Sequence, residues 1–157
     1  MTWEVVPGAP NAQSLRSANP QAKDSVSHVK KLARVLIVDD EPSICKALSM
    51  AMSRAGYDVI AAQSGESALA IIRNENVDVM VIDLRIPDMR GDVIFEVAAG
   101  LQPHLRYQTL FITGDITDRA LKLIAACKCH FLRKPFDLRD MQDAVAALAP
   151  RVQDVAG

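Results

Sequence analysis

Acidic side chains directly follow two aliphatic segments of the chain. Asp39, Asp40 and Glu41 come after the segment VLIV, and Asp83 comes after the segment VMVI. Such segments are typical of buried parallel strands, whose carboxyl ends meet at one edge of a sheet, so we expect these acids to share a shallow pocket. Close carboxylates repel one another unless they share a cation, and oxygen ligands with open positions favour Mg²⁺.

A structural explanation competes with this one. Acids at strand ends also serve as N-caps of the following helices, and Asp40 beside Pro42 suits that role. The other strand ends decide between the two explanations, because one offers the hydroxyl of Thr113 and another the amine of Lys134. A proline follows Lys134; it restricts the backbone before it and can take a cis bond that aims the amine inward.

Together these groups suit phosphoryl transfer to a carboxylate. An aspartate would act as the nucleophile, a metal would bridge it to the phosphoryl oxygens, and Lys134 and Thr113 would contact the remaining oxygens. Asp83 is the better nucleophile because it stands alone at the middle of the strands, whereas Asp39 and Asp40 form an adjacent pair suited to holding the metal. The sequence therefore predicts an acceptor aspartate beside a Mg²⁺ site.

Short β-branched strands that alternate with helices must position these groups. This alternation is typical of βα units around a parallel sheet with helices on both faces. The pattern predicts five strands, at about 34–39, 57–61, 78–83, 108–113 and 130–133. We expect a doubly wound α/β domain built on one parallel sheet of five strands.

Helices are predicted in the intervals between the strands. The first should begin near Pro42 and end at Gly56, Ser64 should cap the second, and the last should follow Asp137. Apolar residues at helical spacing should face the sheet, and the methionines among them are core residues rather than metal ligands. These residues are Ile44, Leu48, Met52 and Ala55 in the first helix, Ala68, Leu69 and Ile72 in the second, and Leu138, Met141, Val145 and Leu148 in the last.

Composition limits the functional classes. The chain has 157 residues, 50% hydrophobic and 4% aromatic, so we expect one domain with an aliphatic core. A formal net charge of -1 gives no reason to expect a nucleic-acid or anionic-membrane surface. Three cysteines and the lack of a signal-peptide pattern indicate a reducing, cytoplasmic location, and no apolar run is long enough to span a membrane.

The two ends of the chain differ from its centre. Residues 1–33 hold three prolines among polar residues without a helical or strand period, and we interpret them as a flexible tail or linker. They contain four basic and two acidic residues, a charge of +2, which leaves -3 for residues 34–157. Residues 150–157 form a stub that is too short for a helix-turn-helix, so we expect the domain at residues 34–149.

Four segments resemble the receiver domain of two-component response regulators. They are VLIVDDE at 35–41, VMVIDLRIPDMRG at 79–91, LFITG at 110–114 and FLRKPF at 131–136, in the order and approximate spacing of that family. The resemblance covers residues 34–149. It implies a flavodoxin-like sheet of strand order 2-1-3-4-5 and Mg²⁺-dependent transfer of a phosphoryl group from a kinase phosphohistidine.

The resemblance also implies a role for each site residue. Asp83 would be the phosphoacceptor, and Thr113 and Lys134 would supply the hydroxyl and the amine that contact the phosphoryl group. The metal would be held by the side chains of Asp39, Asp40 and Asp83 together with the backbone carbonyl of Arg85. Mg²⁺ is therefore the cofactor that we expect.

A conformational switch is a further implication of the resemblance. In this family, phosphorylation draws the hydroxyl towards the phosphoryl group and lets an aromatic residue of the fifth strand turn inward. Thr113 and Phe131 would be the switch residues here. Because Phe131 lacks the hydroxyl of a tyrosine, packing alone would separate the two states. The alternative interpretation of Phe131 is a plain core residue.

Two departures from the family pattern also bear on function. Arg85 and Asp115 occupy variable positions that tune phosphoryl lifetime in the family, and we hypothesise that their opposite charges pair and slow the approach of water. The second departure is the Cys127-Lys128-Cys129-His130 segment before the fifth strand. It lacks the second ligand pair of a structural zinc site, so we interpret it as a loop with incidental cysteines, with a redox-sensitive pair as the alternative.

Three functions are consistent with the sequence. The favoured one is a stand-alone receiver that accepts phosphate from a sensor histidine kinase or phosphotransfer protein. It would then present the face made by helix four, strand five and helix five to a downstream protein, without direct contact with nucleic acid or membrane. An Asp-nucleophile phosphatase would carry a second aspartate two residues after the nucleophile, where this chain has Arg85. The third is a fragment of a larger regulator or hybrid kinase.

The fourth predicted helix suggests an additional interface. It is expected at about 115–126 and carries Leu121, Leu123 and Ile124, more apolar surface than one face against the sheet requires. Part of this surface would then contact a partner or form a homodimer.

Overall fold

The computed structural model describes residues 33–114 and 117–150. Along these residues five β-strands alternate with five α-helices, and one short 3₁₀ helix precedes the fourth strand. Their bounds are β1 Arg34–Val38, α1 Pro42–Arg54, β2 Asp58–Ala62, α2 Gly65–Asn74, β3 Val79–Asp83, α3 Gly91–Leu101, the 3₁₀ helix Pro103–Arg106, β4 Thr109–Thr113, α4 Asp118–Cys127, β5 His130–Arg133 and α5 Leu138–Leu148.

The five strands form one parallel sheet in the order β2-β1-β3-β4-β5, which confirms the expected topology. Every predicted strand is present, and its ends lie within one residue of the expected positions. The three inner strands are buried along almost their whole length, while β2 and β5 at the edges are partly exposed. Burial on both faces explains why the inner strands are continuous aliphatic runs.

Helices cover both faces of the sheet, as the doubly wound pattern predicts. In β1, Val35 and Ile37 face the layer formed by α1 and α5, whereas Leu36 and Val38 face the layer formed by α2, α3 and α4. Alternate side chains of a strand point to opposite faces, so one strand contributes to both halves of the core. The core is largely aliphatic, as the composition indicates.

The first helix begins at Pro42, as predicted, and two of its four predicted core residues, Leu48 and Met52, are buried. Ile44 is half-buried and Ala55, which ends the helix, is exposed. The side chains that pack on the sheet are Cys45, Leu48, Ala51 and Met52. The sequence pattern thus identifies the centre of the buried face, while the exact rotation of the helix on its sheet depends on tertiary packing rather than on helical period.

Three other helices agree with the expectations fully or in part. Ser64 caps α2, since its side chain accepts a hydrogen bond from the Ser67 amide, and Ala68, Leu69 and Ile72 are buried. In α5 the central residues Met141 and Val145 are buried, whereas Leu138 is exposed and Leu148 is half-buried. In α4 only Ile124 of the three predicted apolar residues is buried; Leu123 is half-buried and Leu121 is 44% exposed.

Several expectations concern parts of the chain outside the described residues. They include the tail up to residue 32, residues 151–157 of the predicted stub, and the predicted start of the fourth helix at 115 and 116. Ala33, at the end of the predicted tail, is buried, and its carbonyl oxygen accepts a hydrogen bond from the Asp58 amide. Within the described part of the chain, each helix is too short or too polar to cross a membrane.

An aromatic pair in the core provides a test of the packing. Phe95 of α3 and Phe111 of β4 are fully buried, with ring centroids 5.6 Å apart. Phe95→Ala should lower the free energy of unfolding by about 3–5 kcal/mol, because it leaves a cavity. Val97→Ala, at an exposed position of the same helix, should change it by less than about 1 kcal/mol. Urea unfolding measures both, and equal costs would contradict this packing.

Candidate metal and acceptor site at the carboxyl edge of the sheet

Three carboxylates come together where β1 and β3 end. Val38, the last residue of β1, pairs in register with Ile82, so Asp39 and Asp40 leave β1 beside Asp83 at the end of β3. Oxygen atoms of Asp39, Asp40 and Asp83 all lie within 4.8 Å of one another. The structure thus brings together the acids that the sequence analysis placed in one pocket.

The side chain of Lys134 contacts two of these three acids. This residue follows β5, and its amide donates a hydrogen bond to the Thr113 carbonyl oxygen at 2.7 Å, which holds the end of β5 beside β4. Its Nζ lies 2.7 Å from Asp83 Oδ2 and 3.3 Å from Asp39 Oδ2. The Lys134–Pro135 peptide bond is cis, as the sequence analysis anticipated. The amine therefore contacts both acids.

Burial and charge act in opposite directions on these groups. Burial raises the pKa of Asp39, which is fully buried, and the Glu41 amide and the Lys134 charge only partly oppose this shift. Burial also lowers the pKa of Lys134, but the hydrogen bond and charge of Asp83 outweigh it, so the pKa is raised overall. Lys134 is therefore protonated at neutral pH and supplies the positive charge that the buried acids need.

The alternative role of Asp40 as a helix cap is not supported. The N-cap of α1 is Glu41, without a side-chain hydrogen bond, and the Glu41 amide donates to Asp39 Oδ1 at 3.0 Å. Asp40 is half-buried and lines an open cleft of about 480 Å³ together with Glu41, Asp83, Arg85, Gly114 and Lys134. Asp40 is thus free of a capping contact and faces the space beside the other two acids.

Backbone groups and a hydroxyl complete the site. The Arg85 amide donates to Asp83 Oδ1 at 3.0 Å, so the two oxygens of Asp83 contact different partners, Arg85 and Lys134. Thr113 is buried at the end of β4, the strand adjacent to β3. Asp115, the predicted partner of Arg85, lies outside the described residues.

Predictions also concern three residues outside the cluster of acids. Phe131 is 43% exposed, so the alternative interpretation as a core residue is wrong. Cys127 and Cys129 are free thiols. Burial, with a smaller effect of nearby charges, raises the pKa of Cys127 and raises that of Cys129 to about 12. Since the thiolate is the reactive form, these shifts argue against a readily oxidised pair.

Sequence reasoning missed Asp88, in the loop between β3 and α3. Its Oδ1 accepts from the Gly65 amide at 2.8 Å and its Oδ2 from the Glu66 amide at 3.0 Å, at the N-terminus of α2. These hydrogen bonds lower the pKa of Asp88. No local pattern signals this contact, because the partners stand 22 and 23 positions earlier in the chain.

The cluster is suited to a hard divalent cation. The three carboxylates offer oxygen ligands only, and Lys134 contributes a single positive charge to them. The open cleft leaves room for water or a phosphate oxygen in the remaining coordination positions. The residues present therefore fit a metal of the Mg²⁺ type.

A parallel sheet of order 2-1-3-4-5, with acids at the ends of β1 and β3 and a lysine after β5, defines a flavodoxin-like domain of the receiver class. The family model of the response regulator receiver domain matches residues 35–146, more than two thirds of the chain. The chain belongs to the response regulator receiver family.

Similar proteins include full-length regulators. The chain is 32% identical over 128 residues to the transcriptional regulatory protein GlrR of Escherichia coli (strain K12). The matched segment covers 79% of this chain and 29% of GlrR. It is 34% identical over 126 residues to the alkaline phosphatase synthesis transcriptional regulatory protein PhoP of Bacillus subtilis (strain 168). This matched segment covers 78% of this chain and 51% of PhoP. The chain thus spans about half of PhoP and less of GlrR.

Solved structures show the same architecture. The receiver domain protein (CheY-like) from Methanospirillum hungatei JF-1 superimposes with a TM-score of 0.69 at 27% identity, covering 74% of this chain and 92% of that chain. The chemotaxis protein CheY4 of Vibrio cholerae gives a TM-score of 0.68 at 27% identity, covering 74% and 98%. Both superpositions cover nearly the whole of the solved chain, so the similarity extends over a complete receiver domain.

Removal of Lys134 tests the electrostatics of the site. Lys134 lowers the pKa of Asp39 from the value that burial alone would produce, so Lys134→Met should raise that pKa further. Carboxyl carbon chemical shifts followed against pH in metal-free buffer measure the change. Lys122→Met, which removes an exposed lysine from α4, serves as the control. An unaltered titration of Asp39 in Lys134→Met would show that the two groups are not coupled.

Proposed function

We propose that this chain is a phosphorelay receiver that accepts a phosphoryl group on Asp83 from the phosphohistidine of a sensor histidine kinase or phosphotransfer protein. The observation that carries the proposal is the 2.7 Å contact between Lys134 Nζ and Asp83 Oδ2 inside a cluster of three carboxylates. A lone buried acid would be a poor acceptor of an anionic group, because the charges repel. Here a cation and a metal-binding acid pair adjoin it.

The transfer step follows from this arrangement. A carboxylate oxygen of Asp83 attacks the phosphorus, an O–P bond forms as the N–P bond breaks, and the electron pair returns to the imidazole nitrogen, which takes up a proton. Lys134, within hydrogen-bonding distance of Asp83, is placed to contact the transferred oxygens, and the hydroxyl of Thr113 would donate to another. These contacts stabilise negative charge on the phosphoryl group.

The metal completes the charge balance. Asp39, Asp40, Asp83 and the backbone carbonyl of Arg85 would hold Mg²⁺, which when bound neutralises the carboxylates and polarises the phosphoryl oxygens. Within the chain, the Glu41 amide orients Asp39 through Oδ1, and the Arg85 amide orients Asp83 through Oδ1. The ligands are thus held in place by backbone groups before a metal arrives.

The output of the domain would be a change of surface. Phe131 is exposed, so an inward rotation of its ring would remove a large apolar group from the surface formed by α4, β5 and α5. Movement of Thr113 towards the phosphoryl group would open the space for it, and phosphorylation would shift the population between the two states. A downstream protein that reads this surface is the proposed target. Leu121 of α4 is also exposed and would suit a partner or a second copy of the chain.

The role within a whole protein is a separate proposal. The relatives are transcriptional regulators by name, and the chain matches only part of their length. We infer that the receiver residues supply the regulatory input and act through protein contacts rather than by binding nucleic acid themselves. The mildly acidic domain charge of -3 over residues 34–157 supports this inference.

Phosphorylation by a small donor tests the acceptor. Incubation with acetyl phosphate and Mg²⁺ should add one phosphoryl group, which intact-mass spectrometry detects. Asp83→Asn should abolish the gain because the nucleophilic carboxylate is gone. Asp143→Asn, at an exposed position of α5, is the matched control and should be modified like the wild type. Labelling of Asp83→Asn at the wild-type level would exclude Asp83 as the acceptor, and continued turnover of phosphomonoesters would indicate a phosphatase.

The lifetime of the phosphorylated state tests the role of Arg85. Its side chain lines the cleft, where an ion pair with Asp115 would hinder the approach of water to the acyl phosphate. Arg85→Ala should therefore shorten the half-life of the phosphorylated protein by a few-fold, since an exposed pair contributes under about 1 kcal/mol. Arg139→Ala, an exposed arginine of α5, should leave the half-life unchanged. Equal half-lives in the two variants would remove this role.

A further inference from the structure

The loop of residues 84–90, which joins Asp83 to α3, is anchored at its far side to α2. Both carboxylate oxygens of Asp88 are used in this contact, one for the Gly65 amide and one for the Glu66 amide, at 2.8 and 3.0 Å. These are amides of the first turn of α2, which have no partners within the helix. The Asp88 side chain thus links the N-terminus of α2 to the loop that follows Asp83.

Two glycines show how closely this loop is packed. A Cβ on Gly65 would lie 2.8 Å from Met89 Cβ, so the start of α2 is in direct contact with the loop. A Cβ on Gly91 would lie 2.5 Å from the Asp83 carbonyl oxygen, so the end of the loop returns to the residue from which it left. The loop is therefore confined between α2 and the end of β3.

The same loop holds the Asp83 side chain. The Arg85 amide donates to Asp83 Oδ1 at 3.0 Å, and the Gly91 amide donates to the Leu84 carbonyl oxygen at 3.0 Å, which closes the loop at its base. A displacement of the loop would weaken the hydrogen bond to Oδ1. The Asp83 carboxylate would then rotate more freely relative to Lys134, which contacts its other oxygen.

We propose that Asp88 is a positioning residue for the site at Asp83. By fastening the loop to the N-terminus of α2, it keeps the Arg85 peptide against Asp83 and so holds both residues in the arrangement proposed to bind the metal. Asp88 is not among the residues proposed to hold the metal or to contact the phosphoryl group. The inference rests on the proposed function for its consequence in phosphorylation, but the positioning itself exists in the metal-free protein.

Ser64 provides a matched control on the same helix. Its Oγ accepts a hydrogen bond from the Ser67 amide at 3.1 Å, so it also satisfies an amide in the first turn of α2. Its side-chain partner, however, lies within α2 and not in the loop. Ser64→Ala therefore removes a cap without releasing the loop, whereas Asp88→Ala removes a cap and releases the loop. A difference between the two variants reports on the loop alone.

The experiment compares wild type, Asp88→Ala, Asp88→Asn and Ser64→Ala in two measurements. Hydrogen exchange of the Arg85 amide, followed by NMR in metal-free buffer, should be about tenfold faster in Asp88→Ala, and titration calorimetry with Mg²⁺ alone should show a Kd about tenfold higher. Ser64→Ala should stay within about twofold of wild type in both measurements. Asp88→Asn, which keeps one acceptor oxygen, should lie between the two and serves in place of Asp88→Ala if that variant does not fold.

The outcomes separate this inference from the proposed function. If the aspartate variants match Ser64→Ala in Arg85 exchange and in Mg²⁺ affinity, Asp88 is only a helix cap and the inference is overturned. If wild type binds no Mg²⁺, the proposed metal site fails, and the exchange measurement alone decides the role of Asp88. Faster Arg85 exchange confined to the Asp88 variants supports the positioning role in either case.

Discussion

The need to balance negative charge at the carboxyl edge of the sheet governs this domain. Asp39 is fully buried and Asp83 nearly so, yet each lies in hydrogen-bonding contact with Lys134. An ionised group in such a position is costly unless an opposite charge adjoins it, and Lys134 supplies that charge from the last strand of the sheet. The three residues are spread over 95 positions of sequence, so the charge balance exists only when β1, β3 and β5 are assembled.

The neighbouring loops act on the same carboxylates. Backbone amides of Glu41 and Arg85 each hold one oxygen of an acid, which leaves the other oxygen directed at Lys134. The domain thus combines a rigid strand scaffold with short loops whose amides orient the acids. This combination explains how an open cleft with many charges maintains a defined arrangement. It also connects the packing of the loop that follows Asp83 with the chemistry at Asp83.

Much of the fold could be predicted from the sequence, and the errors have a common cause. Strand positions were correct to within one residue, because buried parallel strands are uninterrupted aliphatic runs with polar ends. The buried face of α1 was predicted only in part. Leu48 and Met52 are buried as predicted and Ala55 is not, while the buried Cys45 and Ala51 were missed. A helical period defines a stripe, but the angle at which the helix rests on the sheet depends on all the side chains beneath it.

The sequence by itself determined the alternation of strands and helices and the residues that stand at the strand ends, because both depend on local hydrophobic period and backbone preference. Only the tertiary structure decided that Lys134 lies closer to Asp83 than to Asp39, that Phe131 is exposed, and that Asp88 reaches α2. These features join or separate residues that are distant along the chain. Their distances follow from the stacking of strands and the path of loops, which no local pattern encodes.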